Sequence, residues 1–160
     1  MSGGSLGHGL AIAVGSALAD RVDGDERRTF CLLGDGELNE GSIWEAVALA
    51  AHLQLGALTA IVDANGLQAL GPVDEIVSYE PLRAKFESFG WVVREVDGHD
   101  VEALADAFAL RCDRPVCVIA RTVKGKGVDF MEDDYLWHYG SLKPEDAERV
   151  FAALARGCAA

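Results

Sequence analysis

The sequence predicts an α/β fold of three layers, in which a mostly parallel sheet is flanked by helices. Segments with helical spacing of apolar residues alternate with short apolar runs that end at turn-forming residues, an order typical of parallel sheets. The 160 residues, half of them hydrophobic, suffice for one substantial core but not for two domains of ordinary size. No internal repeat or long linker interrupts the chain. Residues 1–160 are therefore expected to form a single domain.

The first two elements are a long helix and a buried strand. A helix is expected over Leu6–Arg21, because apolar residues recur there at intervals of four and share one face. The strand Thr29–Leu33 follows, a short run bounded by charge on one side and by glycine on the other, as in strands covered on both faces.

The second helix is expected over Gly41–Leu53. Its N-terminus has two equally good signals: a capping box over Ser42–Glu45, or Asn39 as the N-cap residue. The second strand, Leu58–Asp63, is another buried run, and the pair Asn65-Gly66 after it indicates a turn.

The second half of the chain continues the alternation. A helix over Pro81–Phe89 is predicted to start with proline in its first turn and to end at Gly90. Asp100 is expected to cap a later helix that reaches Arg111. The remaining predicted segments are the strands Trp91–Val96 and Pro115–Thr122, a tail rich in glycine, acids and aromatics over Lys124–Tyr139, and a final helix over Pro144–Leu154.

The charge of the chain excludes some functions. With 14 Lys and Arg against 26 Asp and Glu, the formal net charge is −12, which offers no electrostatic surface for nucleic acid or for an anionic membrane. An anionic small molecule would need local help from backbone N–H groups, helix N-termini or a bound metal.

The cysteines and the N-terminus favour a cytoplasmic protein. Cys31, Cys112, Cys117 and Cys158 form no C-x-x-C pair, so neither a disulfide framework nor a zinc site is expected. The apolar stretch Leu10–Ala19 is too short to span a bilayer, and no Lys or Arg precedes it as a signal peptide would require.

Polar side chains follow the first two predicted strands at the point where each strand ends. Asp35 lies between Gly34 and Gly36, and Asn65 follows the second strand. In a parallel sheet the carboxyl ends of neighbouring strands meet and form the ligand site. Mg²⁺ is usually held there by one or two side-chain oxygens together with phosphate oxygens of a ligand. Glycines beside the carboxylate would let a phosphate approach the backbone, although Gly-Asp-Gly after a strand is also an ordinary turn.

Five blocks of the sequence carry a family resemblance. They read "GGSLGHGLAIAVGSALA", "GDGELNEGSIWEA", "IVDANGLQ", "FGWVVREVDGHD" and "RTVKGKGVDFMEDDYLWH". In this order they resemble the thiamine diphosphate-binding half of transketolase, especially the N-terminal subunit of its split form. The resemblance extends over nearly the whole chain and implies thiamine diphosphate and Mg²⁺ as cofactors.

The resemblance also implies a metal and diphosphate site. Asp35 and Asn65 match the side-chain ligands of Mg²⁺, and the carbonyl of Leu67 matches a third protein ligand. Gly36 matches the residue that bonds the diphosphate.

Other family positions have alternative explanations. Ser5, Leu6 and Gly7 match the loop beside the aminopyrimidine ring, although they also suit a plain entry to the first helix. Glu40 matches an acid in a network that links active sites, although an acid also suits the start of a helix. His138 matches a histidine near the diphosphate and the substrate, but here Tyr139 stands between it and the expected glycine.

The implied activity is the transfer of a two-carbon ketol unit from a ketose to an aldehyde. The family's pyrimidine-binding domain and the segment that precedes the "GSLGHGL" block have no counterpart in these residues. We therefore expect a heterotetramer with a separate C-terminal subunit that binds the pyrimidine. Truncation, another polypeptide that supplies the groups of the preceding segment, or a substrate other than an ordinary sugar phosphate would explain the short start. The alternatives are a 2-oxoacid-decarboxylating or acyloin-forming thiamine enzyme and a non-catalytic scaffold subunit.

Overall fold

The computed structural model describes residues 3–157. Its strands are β1 (Thr29–Gly34), β2 (Leu58–Ala64), β3 (Leu67–Gln68), β4 (Gly71–Pro72), β5 (Val92–Asp97) and β6 (Val116–Arg121). Four of them form a parallel sheet in the order β1-β2-β6-β5, while β3 and β4 pair as a small antiparallel hairpin.

Six α-helices accompany the strands in the described residues. They are α1 (Gly9–Asp23), α2 (Gly41–His52), α3 (Val73–Ile76), α4 (Leu82–Ser88), α5 (Val101–Ala109) and α6 (Pro144–Gly157). Two short 3-10 helices span Gly36–Asn39 and Tyr135–His138.

The sheet separates two apolar clusters, which confirms the predicted three-layer α/β fold. On one face α1, α2 and α4 pack against alternate residues of the strands, and Trp91 lies among them with its Nε1 donating to the carbonyl of Val47 at 2.9 Å. On the other face α5 covers β5 and β6 through Ala107, Val116 and Val118. Burial on both faces explains why β2 and β6 read as continuous hydrophobic runs. The expectation that β1 is also covered on both faces was wrong, because β1 is an edge strand whose Phe30 and Leu32 are 46 % and 69 % exposed.

The first helix begins later than its periodicity predicted. It starts at Gly9 instead of Leu6, because Gly7 has a φ of +84°, a left-handed conformation that a right-handed helix does not allow. It continues two residues past Arg21, and Gly24 ends it in the left-handed conformation with a φ of +73°.

Both predicted caps of α2 were wrong. Glu40 is the N-cap residue, and its side chain makes no capping hydrogen bond. The hydroxyl of Ser42 donates to the carbonyl of Gly7 at 2.8 Å, and Asn39 donates to the carbonyl of Val77 at 3.1 Å. These polar side chains therefore hold neighbouring loops, and tertiary contacts have replaced local capping.

The remaining boundaries are close to the predictions. Asp100 caps α5 as expected, accepting from two backbone N–H groups at 3.0 Å each. That helix ends at Ala109 rather than Arg111, because Leu110 turns to an extended conformation. Pro81 is the N-cap residue of α4 and lies before its first turn, not within it. The β3–β4 hairpin and α3 were not predicted from the sequence.

Three of the four cysteines lie within residues 3–157. Cys31, Cys112 and Cys117 are free thiols, and burial, with the nearby Glu37 carboxylate, raises the pKa of Cys31 to about 11. Cys158 lies outside the described residues. None of the helices in this part of the chain has the length and apolar character needed to cross a membrane.

Candidate functional site

The carboxyl ends of β1 and β2 bring Asp35 and Asn65 together. The strands are adjacent and parallel, with Gly34 opposite Asp63. Oδ2 of Asp35 accepts the backbone N–H groups of Asn65 at 2.8 Å and of Gly66 at 3.0 Å. The predicted convergence of the two strand ends is confirmed, and the aspartate also fixes the turn that follows β2.

The second carboxylate oxygen of Asp35 is buried and has no partner among the described residues. Only 2 % of the Asp35 surface is exposed, and its Oδ1 receives no hydrogen bond. Burial raises the pKa of Asp35; the Tyr79 hydroxyl and the two N–H groups act in the opposite direction, while Asp63 adds to the rise. A buried, unsatisfied oxygen is costly, so Oδ1 is a strong candidate for a bound cation.

Tyr79 is a buried neighbour of Asp35. Its side chain is only 3 % exposed, and burial, together with the nearby Asp35 carboxylate, raises its pKa above the ordinary value for a phenol. The residue lies in the segment between α3 and α4, where no local pattern marks it as a partner of Asp35. Only the tertiary structure reveals it.

The Asn65 amide is oriented by its neighbours. Its Oδ1 accepts the N–H of Leu67 at 3.0 Å, and its Nδ2 donates to Asp63 at 3.3 Å. Asp63 also accepts the hydroxyl of Thr122. Since an amide oxygen has two lone pairs, one stays available on Asn65 after this bond is made.

The Leu67 carbonyl is free of strand pairing. Leu67 and Pro72 form the non-hydrogen-bonded pair of the antiparallel β3–β4 hairpin, so the Leu67 carbonyl does not bond the opposite strand. The hairpin is closed instead by the N–H of Val73 on the carbonyl of Gly66 at 2.9 Å. The carbonyl of Leu67 is therefore a possible metal ligand.

These oxygens fit Mg²⁺ better than a softer metal. One carboxylate, one amide and one carbonyl are hard ligands, and Mg²⁺ commonly completes its octahedron with water and phosphate oxygens. Within residues 3–157 no group of three or more His, Cys, Asp or Glu side chains could hold a metal by itself. A cation at this position would need oxygens from a ligand.

Gly36 begins the short helix that follows Asp35. As the first residue of a helix it has no intrahelical partner for its N–H. A Cβ placed on Gly36 would meet nothing closer than Oε1 of Gln68 at 3.6 Å, an ordinary contact. Within residues 3–157 the Gly36 N–H thus has no hydrogen-bond partner, and the side chain of Gln68 lies at van der Waals distance beside it.

The Ser5–Gly7 loop reaches the start of α2. Gly7 is buried while Ser5 and Leu6 are exposed, and the Glu40 Cβ would lie 2.9 Å from a Cβ on Gly7. The loop and Glu40, two separate sequence predictions, are therefore neighbours. Glu37 and Ser42 also contact Gly7, although neither residue was predicted to have this role.

His138 is not brought into contact with Asp35 or Asn65. It ends the short helix Tyr135–His138, which contacts both strands of the β3–β4 hairpin, and its side chain is exposed. Its ring packs edge-on against Tyr139 with 4.8 Å between ring centroids. The hairpin is the link between this helix and the candidate site.

Comparisons with known proteins agree on one family. The family described as "Transketolase, thiamine diphosphate binding domain" matches residues 1–155. A transketolase family protein of Sinorhizobium fredii is 42 % identical over 100 % of this chain and 59 % of its own length. A protein of Phocaeicola vulgatus, named as one subunit of apulose-4-phosphate transketolase, is 40 % identical over 92 % of this chain and 53 % of its own length.

A solved structure agrees with the sequence matches. The crystal structure of transketolase from Campylobacter jejuni superposes with a TM-score of 0.86 and 32 % identity, covering 94 % of this chain and 25 % of that one. The chain thus spans between half and three fifths of the two relatives above, and a quarter of that transketolase.

Proposed function

The chain belongs to the transketolase family, in which it corresponds to the thiamine diphosphate-binding domain, and we propose that it forms the diphosphate half of a two-chain transketolase. In this proposal it binds thiamine diphosphate with Mg²⁺. Together with a pyrimidine-binding subunit it transfers a two-carbon ketol unit from a ketose to an aldehyde.

The unpartnered Oδ1 of Asp35 is the observation that carries the cofactor proposal. This oxygen is buried, belongs to a carboxylate whose pKa is raised by burial, and has a second carboxylate, Asp63, nearby. A divalent cation would supply the missing partner and offset both negative charges. Without a cation, the arrangement is a cost that the fold has no structural reason to carry.

The proposed ligand set uses one oxygen from each of three residues. Oδ1 of Asp35, the amide oxygen of Asn65 and the carbonyl of Leu67 would hold Mg²⁺, and diphosphate oxygens would complete the octahedron. The N–H of Gly36 would donate to a diphosphate oxygen. When bound, thiamine diphosphate supplies the nucleophilic carbon that cleaves the bond beside a ketose carbonyl.

Ser5, Leu6 and Gly7 are proposed to lie beside the aminopyrimidine ring. Gly7 contacts the start of α2, and only the short Gly36–Asn39 helix and Glu40 separate α2 from Asp35 in the sequence. This contact supports the placement of the loop. Glu40 is proposed to face the partner subunit, since its side chain is exposed beside that loop. His138, exposed beside the β3–β4 hairpin, is proposed to approach the substrate.

The name of one relative supports the proposal of a partner subunit. The Phocaeicola vulgatus relative is named as one subunit of a larger enzyme, and this chain spans 53 % of it. We propose a C-terminal subunit that carries the pyrimidine-binding domain, in a heterotetramer. The three free cysteines among the described residues suit the cytoplasmic location that we also propose.

Calorimetric titration of thiamine diphosphate tests the cofactor site. The wild-type chain is expected to bind it with Mg²⁺ and to lose that binding in EDTA, and to bind more tightly when the partner is present. Asp35→Asn removes the ligand charge with little change of shape and is expected to weaken binding by more than about 10-fold, the loss that outer-shell changes alone produce. Asp106→Asn makes the same change on the exposed surface of α5 and should bind as wild type.

Two results would contradict the proposal. Normal cofactor binding by Asp35→Asn would remove Asp35 from the site, and no binding by the wild type even with its partner would favour a scaffold subunit. Donor assays then identify the reaction: a ketose, with apulose-4-phosphate as the first sugar phosphate tried, against a 2-oxoacid. Turnover of the 2-oxoacid alone would indicate a different thiamine enzyme.

A further inference from the structure

Both backbone polar groups of Gly7, its N–H and its carbonyl, are hydrogen-bonded to side chains from one short segment. Its N–H donates to Oε1 of Glu37 at 3.1 Å, and its carbonyl accepts the hydroxyl of Ser42 at 2.8 Å. The two partners lie 30 and 35 residues away in sequence. We call this arrangement the Gly7 clamp.

The clamp is also tightly packed. A Cβ on Gly7 would lie 2.5 Å from Oγ of Ser42 and 2.9 Å from Cβ of Glu40, distances that atoms in proteins do not normally reach. Gly7 also has a φ of +84°, which disfavours any residue with a side chain. Only glycine brings the loop this close to the start of α2.

Both hydrogen bonds of the clamp leave the elements that carry its side chains. Ser42 lies in the first turn of α2, two residues after the N-cap residue Glu40, and its hydroxyl donates to Gly7. Glu37 lies in the Gly36–Asn39 helix, two residues after Asp35, and binds a backbone N–H across the chain. The clamp therefore joins the N-terminal loop to the turn that contains Asp35 and Gly36.

We propose that Glu37 and Ser42 are positioning residues that hold the Ser5–Gly7 loop at a fixed place relative to the diphosphate turn. This inference rests on the proposed function, in which the turn binds diphosphate and the loop lies beside the aminopyrimidine ring. The clamp sets the spacing between the two halves of the cofactor site before the cofactor binds. Preorganisation of this kind improves affinity because the loop need not be ordered on binding.

A comparison of two ligands separates positioning from a general structural role. Thiamine diphosphate contacts both halves of the site, whereas inorganic diphosphate contacts only the turn. With Mg²⁺ present, Glu37→Ala and Ser42→Ala are each expected to weaken thiamine diphosphate binding by about 10-fold, the effect of one hydrogen bond of about 1.4 kcal/mol. Inorganic diphosphate should bind each variant within about twofold of wild type, because neither substitution changes a group that inorganic diphosphate contacts.

Conservative variants and an exchange measurement complete the test. Glu37→Gln keeps an oxygen acceptor for the Gly7 N–H and is expected to restore most of the affinity. Glu45→Ala, at an exposed position of α2, is the matched control and should behave as wild type. Amide hydrogen exchange should show a slow Gly7 N–H in wild type and Glu37→Gln and a faster one in Glu37→Ala, with or without cofactor.

The outcomes distinguish a failure of the clamp proposal from a failure of the proposed function. Equal losses of both ligands in Glu37→Ala would show a structural role only, and unchanged thiamine diphosphate affinity would show that the clamp does not position the ring. Either result overturns the proposal while the cofactor site stands. If the wild type bound neither ligand with Mg²⁺, the proposed function would fail and this inference with it.

Discussion

Gly36→Ala offers a direct test of the proposed diphosphate contact. The added methyl group would lie 3.6 Å from the side chain of Gln68, an ordinary van der Waals distance, and Gly36 does not have a positive φ. The protein itself therefore accommodates the change, and the free energy of unfolding should shift by less than about 1 kcal/mol. A diphosphate that approaches the Gly36 N–H, by contrast, would meet the methyl group.

The expected loss of affinity follows from one charged hydrogen bond. Such a bond contributes about 1.5–3 kcal/mol, which corresponds to a rise in Kd of about 10- to 150-fold. Calorimetry with thiamine diphosphate and Mg²⁺ measures the loss, and urea unfolding of the same variant measures stability. The substitution should therefore separate binding from folding.

Gly15→Ala is the matched control for this experiment. Gly15 is exposed in the middle of α1 and would have no atom within 4 Å of an added Cβ, so alanine should stabilise the helix by about 0.5–1 kcal/mol. Its cofactor affinity should equal that of wild type. Binding by Gly36→Ala within about twofold of wild type would refute the proposed contact, and a stability loss of several kcal/mol would refute the packing argument.

Three further predictions test the fold and the site. Gly7→Ala should lower the free energy of unfolding by about 2–4 kcal/mol in urea, through its left-handed φ and its overlap with Ser42; an unchanged urea midpoint, with an amide at position 7 as protected from exchange as in wild type, would count against the clamp. Asp100→Ala should cost about 1 kcal/mol as a lost N-cap and lower Tm by about 2–4 °C without changing cofactor affinity. Because the folded pKa of Asp35 is raised, the metal-free chain holds that proton more tightly than the unfolded chain does. Its stability should therefore fall as pH rises above about 4 and through the folded pKa, a dependence that Asp35→Asn should remove in pH-resolved urea unfolding.

Apolar patterns in the sequence were sufficient to locate the main strands of the sheet. Continuous apolar runs located β1, β2 and β6 to within one residue at each end. Burial on both faces accounts for such runs in β2 and β6, whereas Phe30 and Leu32 of β1 are exposed. Asp35 and Asn65 could be paired because neighbouring parallel strands end at the same edge. Asp63, within the same "IVDANG" run, could have been found by that reasoning.

Sequence patterns could not predict the features that depend on tertiary contacts. Ser42 and Asn39 have the residue types of helix caps, but their hydrogen bonds go to Gly7 and Val77. Tyr79 reaches Asp35 from a segment with no periodicity, and the β3–β4 hairpin is too short to produce an alternating pattern. These features depend on which loops meet in space, and spacing along the chain does not encode that.

The charges around the site explain why metal and cofactor should bind together. The chain has a formal net charge of −12, and both Asp35 and Asp63 lie at the proposed diphosphate position. Arg121, at the end of β6, is paired with Glu95 at 2.8 Å and with Glu80 at 2.9 Å, so its charge is already balanced.

A diphosphate that approached this surface alone would meet two carboxylates and few opposing charges. A divalent cation bound to Asp35 offsets the charge of both carboxylates, and the diphosphate in turn supplies oxygens that the protein lacks for that cation. Each ligand therefore raises the affinity for the other by the same factor, as linkage requires. Thiamine diphosphate should tighten Mg²⁺ binding as strongly as Mg²⁺ tightens the binding of thiamine diphosphate.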